Sequence, residues 1–99
     1  MEYTGFDWDE GNLRKNEKHG VTKADVEQAF LNKPLIVVED LKHSQKEPRF
    51  QALGRTDANR CLHITFTERG DGALIRPISA RAASRKERKI YEQALKASP

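Results

Sequence analysis

The sequence predicts one α+β domain spanning residues 1–99, and three observations carry that reading. Residues 49–79 alternate apolar and polar positions and are broken by two short turns, so strands joined this closely pair antiparallel. Two capped helical segments precede this stretch and a third, amphipathic one follows it, so helices cover one face of the sheet. A chain of 99 residues with a mean hydropathy of -0.82 has room for only one modest core.

Taken in order, residues 3–8 alternate loosely, with Phe6 and Trp8 on one side, and predict a short strand. Asp9 then caps a helix. Trp8 and Leu13 have the spacing of a hydrophobic staple, and Gly20 closes the helix with Lys18 and His19 in its last turn. Leu13 is the one strong apolar residue here, so this helix lies at the surface. Thr22 and Asp25 form a capping box for a second helix, stapled by Val21 and Val26 and ended by Asn32 and Pro34. Leu35–Val38 is a β-branched run that predicts a strand buried on both sides, and residues 41–48 form a polar loop.

From residue 49 to 55, Phe50 and Ala52 share one face, with Arg49, Gln51, Leu53 and Arg55 on the other. After a turn at 56–59, Leu62, Ile64 and Phe66 point to the core, while Cys61, His63, Thr65 and Thr67 point away. A turn at 70–72 leads to a last strand over residues 73–79. Pro77 cannot donate to a ladder, so it belongs at an edge, a bulge or the strand end. Ser84 and Glu87 box the final helix, whose apolar stripe is Ile90, Tyr91, Ala94 and Leu95. Arg85, Arg88, Lys89 and Lys96 lie on its opposite face.

Charge is laid out unevenly. Residues 1–48 carry seven basic and ten acidic groups, and residues 49–99 carry eleven and five. A basic, arginine-rich half suits a polyanionic ligand. The single cysteine, Cys61, allows no internal disulfide and fits a reducing compartment; together with the lack of a signal-like start and of a long apolar run, it predicts a cytoplasmic protein without a membrane span. The three histidines are far apart and no Cys-x-x-Cys is present, so no metal site and no cofactor is expected.

What remains is arginine chemistry. Arg69 ends one strand, Arg76 lies in the next, and Arg81 falls between that strand and the last helix. Arg49 and Arg55 share the polar face of a neighbouring strand. Guanidinium forks match phosphate oxygens, and the start of the last helix adds backbone donors beside Arg81. An RNA can be cleaved by its own 2′-hydroxyl, so a protein need supply positioning, proton transfer and charge stabilisation. His19, Lys18, Glu68 and Tyr91 are candidate proton-handling groups. Each residue also has a plain structural use: Tyr91 sits at a core position, His63 on a strand face, and the basic helix face serves solvation.

Phe6-Asp7-Trp8-Asp9-Glu10, Asn16 and Lys18-His19-Gly20-Val21 resemble the opening of the BrnT family, small ribonuclease toxins of type II toxin–antitoxin pairs. Arg49-Phe50-x-x-Leu53-Gly54 resembles its central strand. Phe66-Thr67-Glu68-Arg69, Ile75-Arg76-Pro77-Ile78-Ser79-Ala80-Arg81 and Ser84-x-x-Glu87-Arg88-x-x-Tyr91 resemble its C-terminal signature. The resemblance implies a RelE-like fold, with two N-terminal helices and one C-terminal helix packed on an antiparallel sheet. It implies a metal-independent endoribonuclease that blocks translation. It also implies a BrnA-like antitoxin with a DNA-binding segment, and a toxin homodimer inside a heterotetramer.

On this reading Arg69 and Arg81 stabilise the scissile phosphate, and Lys18, His19 or Glu68 handles protons. Arg49, Arg76, Arg85 and Tyr91 bind RNA. Two departures touch the site: Ala82 stands where the family often has a second basic residue, and Pro77 where it usually has an aliphatic one. The competing reading is a non-catalytic module whose basic face binds an acidic partner or nucleic acid.

Overall fold

The computed structural model describes residues 3–44 and 46–97. In chain order these form β1 (Gly5–Phe6), α1 (Glu10–Glu17), α2 (Lys23–Leu31), β2 (Ile36–Glu39), a 3-10 turn at Leu41–His43, β3 (Arg49–Arg55), β4 (Cys61–Arg69), β5 (Leu74–Ala82) and α3 (Arg85–Ala97). The sheet order is β1-β5-β4-β3-β2. Strands β2 to β5 pair antiparallel, and β1 runs parallel to β5. The α+β reading holds.

The period-2 segments dictate the two faces. Leu62, Ile64 and Phe66 of β4 are fully buried beneath α2, with Val21, Val26 and Ala29. Phe66 is the hub: Phe50 stacks on it at 5.2 Å between centroids and Phe30 meets it edge-on at 5.1 Å. On the reverse face a smaller cluster of Leu53, Ala83 and Tyr91, joined by Ile36, Cys61 and Leu95, seats α3 over one end of the sheet. The rest of that face carries polar side chains.

Both N-terminal helices start as their sequences require. Asp9 and Thr22 cap α1 and α2 with full capping boxes, closed by Asn12 and Asp25. Gly20 holds a positive φ of 69° in the link between the two helices. The surface of α1 is solved unusually. Its buried residues are Asn12 and Asn16, not Leu13. The Asn12 amide donates to Asp7 O at 3.0 Å and Pro77 O at 2.9 Å, which ties α1 to β5.

Four expectations are corrected. The first strand shrinks to Gly5–Phe6, because only Leu74 and Ile75 are offered as partners. β2 is not buried on both sides: it is the sheet edge, pairs only with β3, and leaves Val38 exposed. The helices do not share one face, since α3 packs opposite α2. The last strand runs on to Ala82, because β4 pairs with it as far as Leu62, so Arg81 is a strand residue. Pro77 lies beside a register shift opposite Thr65/Phe66, the bulge its missing N–H calls for.

Candidate functional site

The register arranges the open face in rows. Leu53, His63 and Arg81 lie abreast on β3, β4 and β5; Gln51, Thr65 and Ser79 form the next row; Arg49, Thr67 and Arg76 form the third. The middle row is neutral and internally bonded. The Thr65 hydroxyl donates to Gln51 Oε1 at 2.9 Å, and Gln51 Nε2 donates to Asp40 Oδ2 at 2.8 Å. Thr67 donates to Pro48 O at 2.6 Å. Arginines therefore flank a polar strip at both ends.

At the α3 end, Arg81 is gripped by Glu87. Its Nη1 donates to Glu87 Oε1 at 2.7 Å and to Ala82 O at 3.2 Å, and its Nη2 donates to Glu87 Oε2 at 3.0 Å. A guanidinium has five N–H donors. Among the described residues, the Nε–H and one Nη2–H of Arg81 carry no bond. They are adjacent and form a second fork of the kind that matches phosphate oxygens. The side chain as a whole is 45% exposed.

Glu87 also accepts the Ser84 backbone N–H at 2.7 Å, closing the capping box of α3. The Arg81 guanidinium and the Ser84 N–H hold its carboxyl at about 2, far below its ordinary value. His63 Nε2 lies 3.8 Å from Glu87 Oε2. Burial, aided by the Arg81 charge, keeps the imidazole below its ordinary pKa. Cys61, one strand step away, is half-buried and its thiol is pushed up chiefly by burial, as befits a packing residue.

At the other end two of the three arginines have acidic partners. Arg69 Nη1 lies 2.6 Å from Glu47 Oε2, and Arg76 reaches Asp9 Oδ2 at 2.6 Å and Asp7 Oδ2 at 3.4 Å. Arg49 stands beside them, near Lys42 and Lys46. Six residue steps along β4 separate His63, abreast of Arg81, from Arg69, roughly 20 Å at about 3.3 Å per step. The structure thus spreads Arg81 and Arg69 along the strip and does not gather them at one point.

The remaining expected residues scatter. Lys18 and His19 are exposed where α1 ends, next to Gly20, whose carbonyl accepts from Arg60 at the start of β4. This is the Arg81 end of the sheet. Glu68 turns to the helix side, where its Oε2 accepts from the Tyr3 hydroxyl at 2.7 Å. Arg85 is exposed at the start of α3. Tyr91 is buried on α3 against Leu53 and Ala83, and its hydroxyl is spent on Pro34 O at 2.6 Å. Two residues of the Arg81 cluster carried no functional expectation: His63 reads as structural and Glu87 only as half of a capping box. The signal that joins them is the β4–β5 register, which sets His63 against Arg81.

Among the described residues, no group of three or more His, Cys, Asp or Glu side chains is placed to hold a metal ion. No helix there is long and apolar enough to cross a membrane. A family model described as a ribonuclease toxin, BrnT, of a type II toxin–antitoxin system matches residues 8–87. A search of curated proteins finds no relative that matches the chain.

Proposed function

The chain belongs to the BrnT family of ribonuclease toxins of type II toxin–antitoxin systems, and from that premise we propose that its arginine strip is where RNA is bound and cut. RNA is the substrate and an antitoxin is the partner of such a toxin. The observation that carries the proposal is the second fork of Arg81, left without a bond on a side chain that is 45% exposed while Glu87 fixes the rest of the guanidinium. A donor pair already oriented costs no reorganisation when a phosphate gathers charge. In this reading Arg81 holds the scissile phosphate, and Arg76, Arg49 and Arg69 bind phosphates farther along the chain. Lys18, His19 and Arg85 meet the RNA backbone at the Arg81 end.

The nucleophile in this scheme is the RNA's own 2′-hydroxyl, so the protein contributes alignment and charge, with no metal required. Cleavage of RNA in the cytoplasm would block translation, and a BrnA-like antitoxin in a heterotetramer would hold the enzyme in check. The basic-module alternative has the same surface but no cleavage. The decisive experiment incubates the purified, antitoxin-free chain with RNA and follows strand scission. Arg81→Ala is expected to slow cleavage about 10²–10³-fold with the fold retained. Arg81→Lys, which keeps the charge and loses the fork, falls in between. A wild-type chain that binds RNA without cutting it would favour the alternative.

A further inference from the structure

The arginine strip explains how RNA is held but leaves the transfer of the 2′-hydroxyl proton without an owner among the residues gathered at Arg81. Lys18 and His19 stand on another element, and Glu68 faces the opposite side of the sheet. His63 is different. It occupies the strand position directly across from Arg81, on the same face, with 19% of its side chain exposed. Among the described residues neither ring nitrogen makes a hydrogen bond. Its Nε2 is 3.8 Å from Glu87 Oε2, the oxygen that also accepts from Arg81 Nη2.

Resting on the proposed function above, we propose that His63 is the general base of RNA cleavage, taking the proton from the 2′-hydroxyl of the nucleotide whose phosphate Arg81 holds, and that Glu87 is the positioning residue that orients both. The 2′-O–H bond breaks and its proton passes to an imidazole nitrogen. The 2′-oxygen forms a bond to phosphorus, the bond from phosphorus to the 5′-oxygen breaks, and that oxygen takes a proton from water. The products are a 2′,3′-cyclic phosphate and a 5′-hydroxyl, and the imidazolium returns its proton to solvent.

The surroundings suit a base. Arg81 on β5 and Glu87 on α3 are the charged groups that face His63, and β3 offers only Leu53. Burial and Arg81 outweigh Glu87, so the imidazole is unprotonated near neutral pH and ready to accept. Glu87 itself is a poor base, being committed to Arg81 and to the Ser84 N–H. The alternative is a packing role at the edge of α3.

The test measures single-turnover cleavage of RNA against pH, together with affinity for a non-cleavable 2′-deoxy strand. Wild type is expected to gain rate as pH rises through the titration of His63, below the ordinary 6.5, and then to level off. His63→Gln is expected to lose about 10²–10⁴-fold in rate and to lose the acid limb, with affinity for the deoxy strand held within about threefold. A variant that cleaves within about threefold of wild type, or that loses affinity and rate together and keeps the limb, overturns the proposal. If the variant does not fold, the wild-type profile decides alone, and a rate flat across that range overturns it. A wild-type chain that cuts no RNA at all brings down the function itself, a result distinct from a cutting enzyme indifferent to residue 63.

Discussion

Glu87 accepts from donors of two elements, the Ser84 backbone N–H of the α3 cap and both Nη atoms of Arg81 on β5. Its carboxyl titrates at about 2 in the fold against an ordinary 4.5. A depressed native pKa stabilises the fold fully above the unfolded value and loses that contribution as pH falls through the folded one. The window here lies between about 4.5 and about 2. Discounted for solvent screening at a partly exposed pair, the contribution is about 1–2 kcal/mol. Glu87→Gln is therefore expected to lower the urea midpoint at neutral pH by that equivalent and to match wild type near the bottom of the window. A gap that persists there would assign the loss to packing instead. The sequence makes half of this arrangement legible, since Ser84-x-x-Glu87 announces a capping box. The other half, Arg81 and His63, depends on which residues β4 and β5 set abreast, and a bulge at Thr65/Phe66 shifts that register by a residue; Pro77 permits a bulge there but equally an edge or a strand end.

Elements with a strong local signal are where sequence and structure agree. The caps at Asp9, Thr22 and Ser84, the alternation over β3 and β4, and the turns holding positive φ at Asn59, Gly70, Asp71 and Gly72 all depend on near neighbours. The misplaced elements depend on distant ones. The brevity of β1 is set by β5, sixty-nine residues on, and the exposure of β2 follows from its having no strand beyond it. The seating of α2 on β3 is such a long-range requirement with one residue at its centre. A Cβ built on Gly54 would meet the Ala29 carbonyl group, with its carbon at 3.0 Å and the Ala29 Cβ at 3.2 Å. These are backbone and stem atoms that move only if α2 moves. Gly54→Ala is thus expected to cost about 1–3 kcal/mol through overpacking, measured by chemical denaturation, and to lift α2 from β3. An unchanged midpoint would mean that the helix yields freely and that the close approach is dispensable.

Over the whole molecule, the uneven charge of the two halves becomes a division of surfaces. The polar side of the sheet carries Arg49, Arg69, Arg76 and Arg81, while the α2 side holds the aromatic core and an apolar groove of about 810 Å³ bordered by Phe6, Phe30, Leu35 and Val37. Three of those arginines are countered by acids: Glu87 stays on Arg81 and leaves its second fork to the ligand, while Glu47 on Arg69 and Asp7 with Asp9 on Arg76 can be displaced, so the formal charge of +3 understates what a phosphate chain meets once it displaces them. Binding then trades ion pairs within the protein for ion pairs with RNA, and releases counterions from the strand. For a single strand, the slope of log affinity against log salt is about −0.7 per phosphate neutralised, so the four arginines of the strip with Lys18 and Arg85 give roughly −4. Measured with a 2′-deoxy strand that cannot be cleaved, wild type is expected near that slope. Arg76→Ala, at the end far from Arg81, is expected to weaken binding and reduce the slope by about 0.7. A slope near zero, or one unmoved by the loss of Arg76, would mean that RNA does not run along the strip and that only the Arg81 end makes contact.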